Sequence, residues 1–214
     1  MDVSRVSLRS VTGVGLNDLP EFGVPPADPI ALAQEWIARA IQGGVREPGS
    51  MALATAGSDG MPSCRFVLLK GFDVNGLLFV SQKTSRKGQD IAANPFACGS
   101  FYWQEQRLQL HVAGRVETIG DAESDEMFSA RPLGSKAAAA VSRQGDTLTD
   151  ENSFAAEIQR LIAAAGPVPR PERWTGYRIV PDRIEFWHGD AERMHHRLEY
   201  TRDGAQWSWR RVQP

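Results

Sequence analysis

Long apolar segments and cysteines are both scarce in this sequence of 214 residues. No apolar run approaches the roughly 20 residues that a membrane-spanning helix needs, and the N-terminal stretch MDVSRVSLRSVTG has no apolar signal core. The two cysteines, Cys64 and Cys98, are too few for a disulfide scaffold and lack the paired spacing of a metal site. These absences predict a cytoplasmic protein with no membrane segment.

An excess of charge of either sign is also missing. The chain has 24 Lys and Arg against 26 Asp and Glu, a net charge of −2 at pH 7. This balance argues against a protein that binds nucleic acid or a membrane surface by neutralising many phosphates. The sequence also has no HExxH, GxSxG, P-loop or GxGxxG motif, so zinc hydrolases, α/β-hydrolases, P-loop NTPases and Rossmann folds lose their support.

Turn signals divide the chain into short strands and a few helices. Asp28 as a cap, Pro29 at the first helical position and a stop at Gly43-Gly44 predict a helix over residues 28–42. Apolar runs between turn residues predict antiparallel strands at 51–56, 64–72, 77–82, 96–103 and 108–119. Further helices are predicted from Thr84 to before Asn94, over 122–142 with a break at Arg131-Pro132, and over 152–165.

The C-terminal part returns to strands, predicted for the runs TGYRIV, RIEFW, RMHHRLEYT and QWSWRRV. This order of elements predicts an α+β fold in which helices surround a β-barrel core. One domain is expected over residues 27–214, after an irregular N-terminal arm over residues 1–26.

The segment Lys83-Thr84-Ser85-Arg86-Lys87 lies where a strand ends and a helix begins, with Thr84 or Ser85 as the cap. Cations in the first helical turn oppose the helix dipole, and a bound anion would reverse that effect. Backbone N–H groups, hydroxyls and cations would then converge on a phosphate. The alternative is a solvated basic turn.

A second basic cluster is Arg193-Met194-His195-His196-Arg197. If the segment is a strand, alternation places Arg193, His195 and Arg197 on one face. Three such groups repel one another unless an anion or an acidic side chain lies among them. The alternative is a solvent-exposed basic face.

Two further pairs of polar residues are candidates for the same chemistry. Arg65 and Lys70 flank four apolar residues and differ in parity, so either Lys70 lies at a strand end or bulge, or only one of the two faces a site. Arg131-Pro132 followed by Ser135 could hold an anion between two helices, although a helix break explains it equally well.

Taken together, these segments resemble the pyridoxamine 5′-phosphate oxidase family of flavin enzymes. The match runs in order from about Ala27 to Pro214. It comprises Arg65-Phe-Val-Leu-Leu-Lys70, Ser85-Arg86-Lys87, Gln109, Ser129-Ala-Arg131-Pro132, Val141-Ser-Arg-Gln144, Glu185-Phe-Trp187 and Arg193-Met-His-His-Arg197.

The resemblance implies a split β-barrel homodimer with FMN in two clefts at the subunit interface, each lined by both chains. Carried over by position, the FMN contacts are Arg65, Lys70, Val80, Ser81, Arg86, Lys87, Gln109, Gln144, Gly145, Trp187 and Arg197. The substrate contacts are Lys70, Arg131, Ser135, Arg193 and His195, of which Arg193 and His195 are the expected catalytic residues. Gly145 replaces a serine of the family pattern, which removes one hydroxyl donor and could lower the affinity for FMN.

Two departures from the family pattern bear on the substrate. Met127 stands where the vitamin-making enzymes have a tyrosine that binds the substrate phosphate, and a methionine cannot donate that hydrogen bond. The Arg-x-x-Tyr arm of those enzymes is also absent, since Ser10-Val-Thr follows Arg9. The N-terminal stretch and Gly166-Pro-Val-Pro-Arg-Pro171 are instead similar to a sister branch, the flavin oxidases of phenazine biosynthesis.

The resemblance therefore implies an FMN-dependent oxidase that aromatises di- or tetrahydrophenazine carboxylic acids and passes electrons to O2, giving H2O2. Arg193 would pair with a substrate carboxylate, and His195 would hydrogen-bond the substrate or move a proton. The alternatives are a pyridoxine or pyridoxamine 5′-phosphate oxidase and a flavin-binding module without catalysis.

Overall fold

The computed structural model describes residues 19–214, which form a nine-stranded sheet with five α-helices around it. The helices are α1 (Pro29–Gln42), α2 (Arg86–Ala93), α3 (Asp121–Ser129), α4 (Leu133–Val141) and α5 (Glu151–Ala163). The strands are β1 (Ser50–Ala56), β2 (Pro62–Leu68), β3 (Gly71–Asp73), β4 (Gly76–Gln82), β5 (Phe96–Trp103), β6 (Leu108–Thr118), β7 (Trp174–His188), β8 (His196–Asp203) and β9 (Gln206–Arg211). In the part of the chain so described, no helix is long and apolar enough to cross a membrane.

The sheet runs in the order β2-β1-β5-β6-β7-β4-β3, and β8 and β9 continue from β7. Strand β7 is the centre of this arrangement, because β6 pairs along one edge while the other edge is shared by β4 and β8. All pairs are antiparallel. The α+β class predicted from the sequence is confirmed.

Helix α1 begins and ends where the sequence predicts. The Asp28 carboxylate accepts hydrogen bonds from the N–H groups of Ile30 and Ala31, and Gly43 caps the other end. The face of α1 that contains Trp36 is buried against the sheet, where the indole ring packs edge-to-face on Phe186 at 5.0 Å.

The C-terminal strand β7 differs from the prediction, because TGYRIV and RIEFW form one strand that runs through Pro181. Pro181 is tolerated there because the β6–β7 register shifts at this point, leaving Asp182 as an extra residue on β7. The bulge reverses the parity of the buried positions. Ile179 faces the core before it, and Ile184 and Phe186 face the core after it.

Two other predicted strands are interrupted. The run 64–72 breaks after Leu68, so that Lys70 lies at a corner between β2 and β3, one of the positions its parity allowed. The predicted strand RMHHRLEYT begins only at His196, because Arg193 adopts a left-handed conformation with φ 69°. The alternation argument for Arg193 and His195 is therefore wrong, since both precede the strand.

The N-terminal arm predicted over residues 1–26 lies outside the described residues up to position 18. In the remainder, Pro20–Phe22 forms a short 3-10 helix rather than irregular chain, and Glu21 and Phe22 are buried. The Glu21 carboxylate accepts hydrogen bonds from the side chains of Trp36 and Arg39, which fix this turn against α1.

The bulge in β7 depends on Gly114, because a Cβ added there would lie 1.9 Å from the carbonyl oxygen of Val180. We therefore expect Gly114→Ala to lower the free energy of unfolding by ~2–3 kcal/mol, since backbone must move to admit the methyl group. Gly71→Ala is the matched control, because nothing lies within 4 Å of the added Cβ, and its effect should stay within ~0.5 kcal/mol. Urea unfolding of both variants measures the difference, and equal stabilities would contradict this account of the bulge.

Candidate active site

Helix α2 begins directly after β4 and packs closely against its end. Ser85 caps the helix, and its Oγ accepts a hydrogen bond from the N–H of Gly88. Gly88 is required by this packing, because a Cβ there would lie 2.5 Å from the carbonyl oxygens of both Gln82 and Lys83. The N-terminus of α2 is thereby directed at the polar side chains at the end of β4.

Four polar side chains from three parts of the chain meet here and form what we call the anion corner: Ser81 of β4, Ser85 and Lys87 at the start of α2, and Gln144 in the loop after α4. The ammonium of Lys87 lies 3.4 Å from Ser85 Oγ and 3.2 Å from Gln144 Oε1. The hydroxyl of Ser81 lies 3.3 Å from that of Ser85 and 3.4 Å from Gln144 Oε1. The corner therefore combines hydroxyls, an amide and a cation at a helix N-terminus, a combination suited to a phosphate group.

Lys87 carries an electrostatic cost in this position. The residue is only 7% exposed, and its ammonium makes no ion pair within residues 19–214. Burial lowers the pKa of Lys87, and the nearby charge of Arg65 lowers it further. A buried cation without a counter-charge is unfavourable, and a bound anion would remove the penalty.

Next to the anion corner, the carboxylate of Asp90 in α2 forms ion pairs with two arginines, Arg65 and Arg86. Its carboxylate accepts hydrogen bonds from Thr55, Ser63 and Arg86, and Arg65 lies 3.9 Å away. Burial would raise the pKa of Asp90, but these hydrogen bonds outweigh it and hold the pKa at about 2. Arg86, expected to contact FMN, is thus directed at Asp90 in this structure. The i,i+4 spacing of Arg86 and Asp90 was the available sequence signal for this pair.

Arg65 is held by the same group of side chains. It donates to the hydroxyls of Thr55 at 2.7 Å and Ser63 at 2.5 Å, and to the carbonyl of Leu53. Burial lowers its pKa, and Asp90 only partly compensates. The region therefore has three cations, Arg65, Arg86 and Lys87, beside the carboxylate of Asp90, and the charge of Asp59 also acts on Arg86.

Val80, the residue before Ser81, lines a cavity of about 300 Å³. Lys70 and Arg131 also line this cavity. The guanidinium of Arg131 lies 5.5 Å and 5.3 Å from the ring centres of Phe128 and Trp174. Its Nη1 is buried and has no hydrogen-bond partner in the described part of the chain. Burial lowers the pKa of Arg131, and an anion bound beside the guanidinium would favour its charged form.

The other residues expected at the substrate site are distributed around this cavity or away from it. Met127 lines the cavity beside Arg131, and Ser135 lies in the first turn of α4, four residues after Arg131. Arg193 and His195 are not part of it. Gly145 has φ 108°, a conformation that glycine adopts without strain and that a serine adopts poorly.

A second group of site residues lies on the outer face of β6, β7 and β8, the face turned away from the core. Gln109 pairs with Trp187 across β6 and β7, and Trp187 pairs with Arg197 across β7 and β8. Arg197 donates to Glu185 at 2.8 Å, so an acidic partner does lie beside this basic segment. A cavity of about 290 Å³ adjoins Arg197 on this face, lined by Cys98, His111, Ala113, Arg183 and Glu185.

His195 reaches this group from the loop before β8. Its ring centre is 4.9 Å from that of Trp187, and its Nδ1 accepts a hydrogen bond from the N–H of Asp190 at 3.0 Å. In the neutral imidazole the proton then lies on Nε2, which becomes the free donor. His196 points elsewhere, and its ring stacks on that of His188 with 6.1 Å between the ring centres.

The structure therefore brings the predicted residues together in two separate groups. The first includes Ser81 and Lys87, and the second includes Trp187 and Arg197; within residues 19–214 no hydrogen bond or ion pair joins them. Ser81 pairs with Thr175 near one end of β7, and Trp187 lies near the other end, twelve residues or ~40 Å further along the strand. Neither group alone forms the complete predicted site.

Sequence reasoning missed several supporting residues. Phe128 and Trp174 hold Arg131, and Gln82 hydrogen-bonds the Gln144 backbone at 2.9 Å. Phe128 lies only three residues before Arg131, but Trp174 is 43 residues from Arg131 and Gln144 is 62 residues from Gln82, so no local pattern marked these two contacts.

Family models and individual relatives both match this chain, and they point to the same family. Residues 37–164 match pyridoxamine 5′-phosphate oxidase, and residues 174–214 match the pyridoxine 5′-phosphate oxidase C-terminal dimerisation region. A pyridoxine/pyridoxamine 5′-phosphate oxidase from Burkholderia ambifaria is 42% identical over 200 residues, covering 92% of this chain and 93% of that protein. A dihydrophenazinedicarboxylate synthase from Burkholderia lata is 37% identical over 214 residues, covering 100% of both chains.

One solved structure is similar over nearly the whole chain. It is PhzG from Burkholderia lata 383 in complex with tetrahydrophenazine-1-carboxylic acid, with a TM-score of 0.92 and 37% identity. The match covers 94% of this chain and 100% of that one.

The low pKa of Asp90 gives a pH-dependent contribution to stability. Because its folded-state pKa of about 2 lies below the ordinary aspartate value of 3.8, the ionised carboxylate stabilises the fold above pH ~4, and this stabilisation is lost as the pH falls towards 2. We expect Asp90→Asn to lower the free energy of unfolding by ~2 kcal/mol at pH 7, and the difference from the unsubstituted protein to shrink between pH 4 and 2.

Urea unfolding across this pH range measures the effect. Asp146→Asn, at an exposed loop position, is the control and should change the stability by less than ~0.5 kcal/mol at pH 7. A difference for Asp90→Asn that stays constant down to pH 2 would contradict the assignment.

Proposed function

The chain belongs to the pyridoxamine 5′-phosphate oxidase family, with its split β-barrel fold, and we propose that it oxidises reduced phenazine carboxylic acids with FMN as cofactor. The product is the aromatic ring system, and O2 is the electron acceptor. Residues 27–214 act as one FMN-binding domain in this proposal. The observation that carries it is the cavity between Lys70 and Arg131, in which two cations face apolar walls that include Met127.

The residues present fit FMN. The anion corner, with the nearby cations Arg65 and Arg86, suits the phosphate, because Lys87 is buried there and forms no ion pair with any residue from 19 to 214. From the same chain, Lys70, Val80 and Gly145 complete this half of the binding site. When bound, FMN would supply the redox chemistry, a two-electron oxidation of the reduced substrate ring in which the two electrons and two protons lost by the substrate convert O2 to H2O2.

The second half of each site comes from another copy of the chain in a homodimer. Gln109, Trp187 and Arg197 are separated from the anion corner within one chain, as described above, and residues 174–214 match a dimerisation region. The outer face also exposes apolar side chains, with Phe66 77% exposed and Leu68 52% exposed. Exposed apolar groups on this face favour burial against a partner. A homodimer would join the two groups of residues into one cleft.

The substrate proposal follows from the polarity of the cavity. Met127 offers no hydrogen-bond donor to a phosphate, while the guanidinium of Arg131, which lines the cavity, can pair with a carboxylate. The rings of Trp174 and Phe128 place apolar surface beside that cation. Ser135, at the start of α4, adds a hydroxyl. A planar, carboxylated, apolar molecule satisfies this combination.

Arg193 and His195 act on the substrate from the other chain. Arg193 pairs with a substrate carboxylate. His195 donates a hydrogen bond from Nε2, because its Nδ1 is already occupied by the N–H of Asp190. This geometry supports the donor role for His195 over that of a proton acceptor. Aromatisation of the ring makes the oxidation favourable, so a strong base is not needed.

A pyridoxine or pyridoxamine 5′-phosphate oxidase is the second candidate. The relative from Burkholderia ambifaria carries that name at 42% identity, and Lys70, Arg131 and Ser135 can also bind a phosphate. A flavin-binding module without catalysis is a third possibility, against which the retained Arg193 and His195 argue.

The decisive experiment compares substrates for the protein loaded with FMN. In air, with enzyme-free oxidation subtracted, we expect H2O2 formation from a reduced phenazine carboxylic acid, with a kcat/KM at least ~10-fold above those for pyridoxine and pyridoxamine 5′-phosphate. Arg193→Ala should raise KM for the phenazine acid ~10-fold, the loss of about one charged hydrogen bond, while the protein stays yellow. Turnover of the vitamin phosphates alone favours the second candidate, and no flavin reduction by any of them favours the third.

The cofactor site is tested through Lys87. Lys87→Met removes the buried cation, so FMN affinity should fall ~10–100-fold, whereas the cofactor-free protein should be no less stable than before. Lys83→Met is the matched control, since Lys83 is an exposed lysine in the turn between β4 and α2, and it should change FMN affinity less than ~2-fold. Fluorescence titration with FMN and thermal unfolding provide both measurements. Unchanged FMN affinity in Lys87→Met would contradict the proposed phosphate site.

A further inference from the structure

Gln82, the last residue of β4, is buried with 5% of its surface exposed, and both polar atoms of its side-chain amide make hydrogen bonds. Its Nε2 donates to the carbonyl oxygens of Ala139 at 3.3 Å and Ser142 at 2.9 Å. Its Oε1 accepts from the N–H of Gln144 at 2.9 Å. One amide therefore connects the end of β4 to the end of α4 and to the loop that follows it.

The main chain of Gln82 contacts the opposite side of the anion corner. Its carbonyl oxygen accepts hydrogen bonds from the N–H of Ser85 at 3.1 Å and from Ser85 Oγ at 2.7 Å. Gln82 thus touches Ser85 through its backbone and Gln144 through its side chain. These two residues lie on either side of the Lys87 ammonium.

Arg173 makes some of the same contacts as Gln82, but only those to the end of α4. It donates to the carbonyl oxygens of Ala139 at 3.2 Å, Ala140 at 2.5 Å and Ser142 at 3.1 Å, so it satisfies the last carbonyls of α4 and complements the helix dipole. The end of α4 would remain capped by Arg173 without Gln82. Within residues 19–214, the Gln144 N–H donates to Gln82 and to no other residue.

We propose that Gln82 is a positioning residue that sets Gln144 against Lys87 and thereby makes the corner selective for a phosphorylated flavin. This inference rests on the proposed function, because it assumes that the corner binds the FMN phosphate. Gln82 does not touch the ligand; it holds the loop carrying Gln144 at the distance from Lys87 and Ser81 that a phosphate oxygen needs. A glutamate cannot replace it, since a carboxylate would face two carbonyl oxygens and place a negative charge beside the phosphate.

The test compares FMN with riboflavin, which lacks the phosphate. In Gln82→Met, which keeps the length of the side chain but makes no hydrogen bond, we expect the Kd for FMN to rise ~10-fold and the Kd for riboflavin to change less than ~2-fold. A general loosening of the fold would weaken both flavins by the same factor. Fluorescence titration of each flavin gives both constants.

Two variants serve as controls. Gln89→Met makes the same substitution at an exposed glutamine of α2, and both flavin constants should stay within ~2-fold. Arg173→Met should lower the melting temperature by removing contacts to α4, while the ratio of the FMN and riboflavin constants stays within ~2-fold of the unsubstituted protein.

A double-mutant cycle tests whether Gln82 acts through Gln144. In a Gln144→Ala background, Gln82→Met should add less than ~2-fold to the Kd for FMN, because the side chain that it positions is gone. Full additivity of the two substitutions overturns the positioning role.

The outcomes also separate this inference from the proposed function. If the unsubstituted protein binds neither flavin, the proposed function fails and the inference with it. If the unsubstituted protein prefers FMN and Gln82→Met leaves the ratio of the two constants unchanged, the cofactor proposal stands and the inference on Gln82 is overturned.

Discussion

The pairing of β7 with three strands is the constraint on which the rest of the structure depends. β4 pairs with its first half, β8 pairs with its second half on the same edge, and β6 follows the opposite edge. The bulge at Asp182 changes the parity between these halves. Phe186 therefore faces the core and Trp187 the outer face, and without the extra residue the two would exchange places. The location of the second group of site residues is a consequence of this one irregularity.

Uncompensated positive charge distinguishes the candidate site from the rest of the molecule. Many arginines elsewhere are paired with carboxylates, as Arg178 is with Asp73 and Glu123. By contrast, Lys87 is buried beside hydroxyls and an amide, and Arg131 is held by aromatic rings while its Nη1 finds no hydrogen-bond acceptor among residues 19–214. Maintaining such groups costs stability in the free protein, which is typical of sites prepared for an anionic ligand.

The residues expected to line one site lie in two separate groups within a single chain, which is compatible with the family match if two copies of the chain form each site. Each chain carries a corner suited to a phosphate and, far along β7, an aromatic and basic surface with His195 beside it. A cleft between two copies would combine them. Under the proposed function, the substrate preference would depend on a few side chains around Arg131, among them Met127, which lines the same cavity and has no donor for a phosphate.

The sequence by itself determined the helices and most strands, because caps, glycine stops and turn dipeptides act within a few residues. Asp28, Ser85 and the break at Arg131-Pro132 are examples. It also indicated the family, through motifs in order along the chain. Only the tertiary structure decided that β7 is continuous, that Arg193 and His195 lie in a loop, and that Gln82 reaches Gln144. These features depend on register shifts and on contacts between residues distant in the chain, for which local sequence patterns carry no signal.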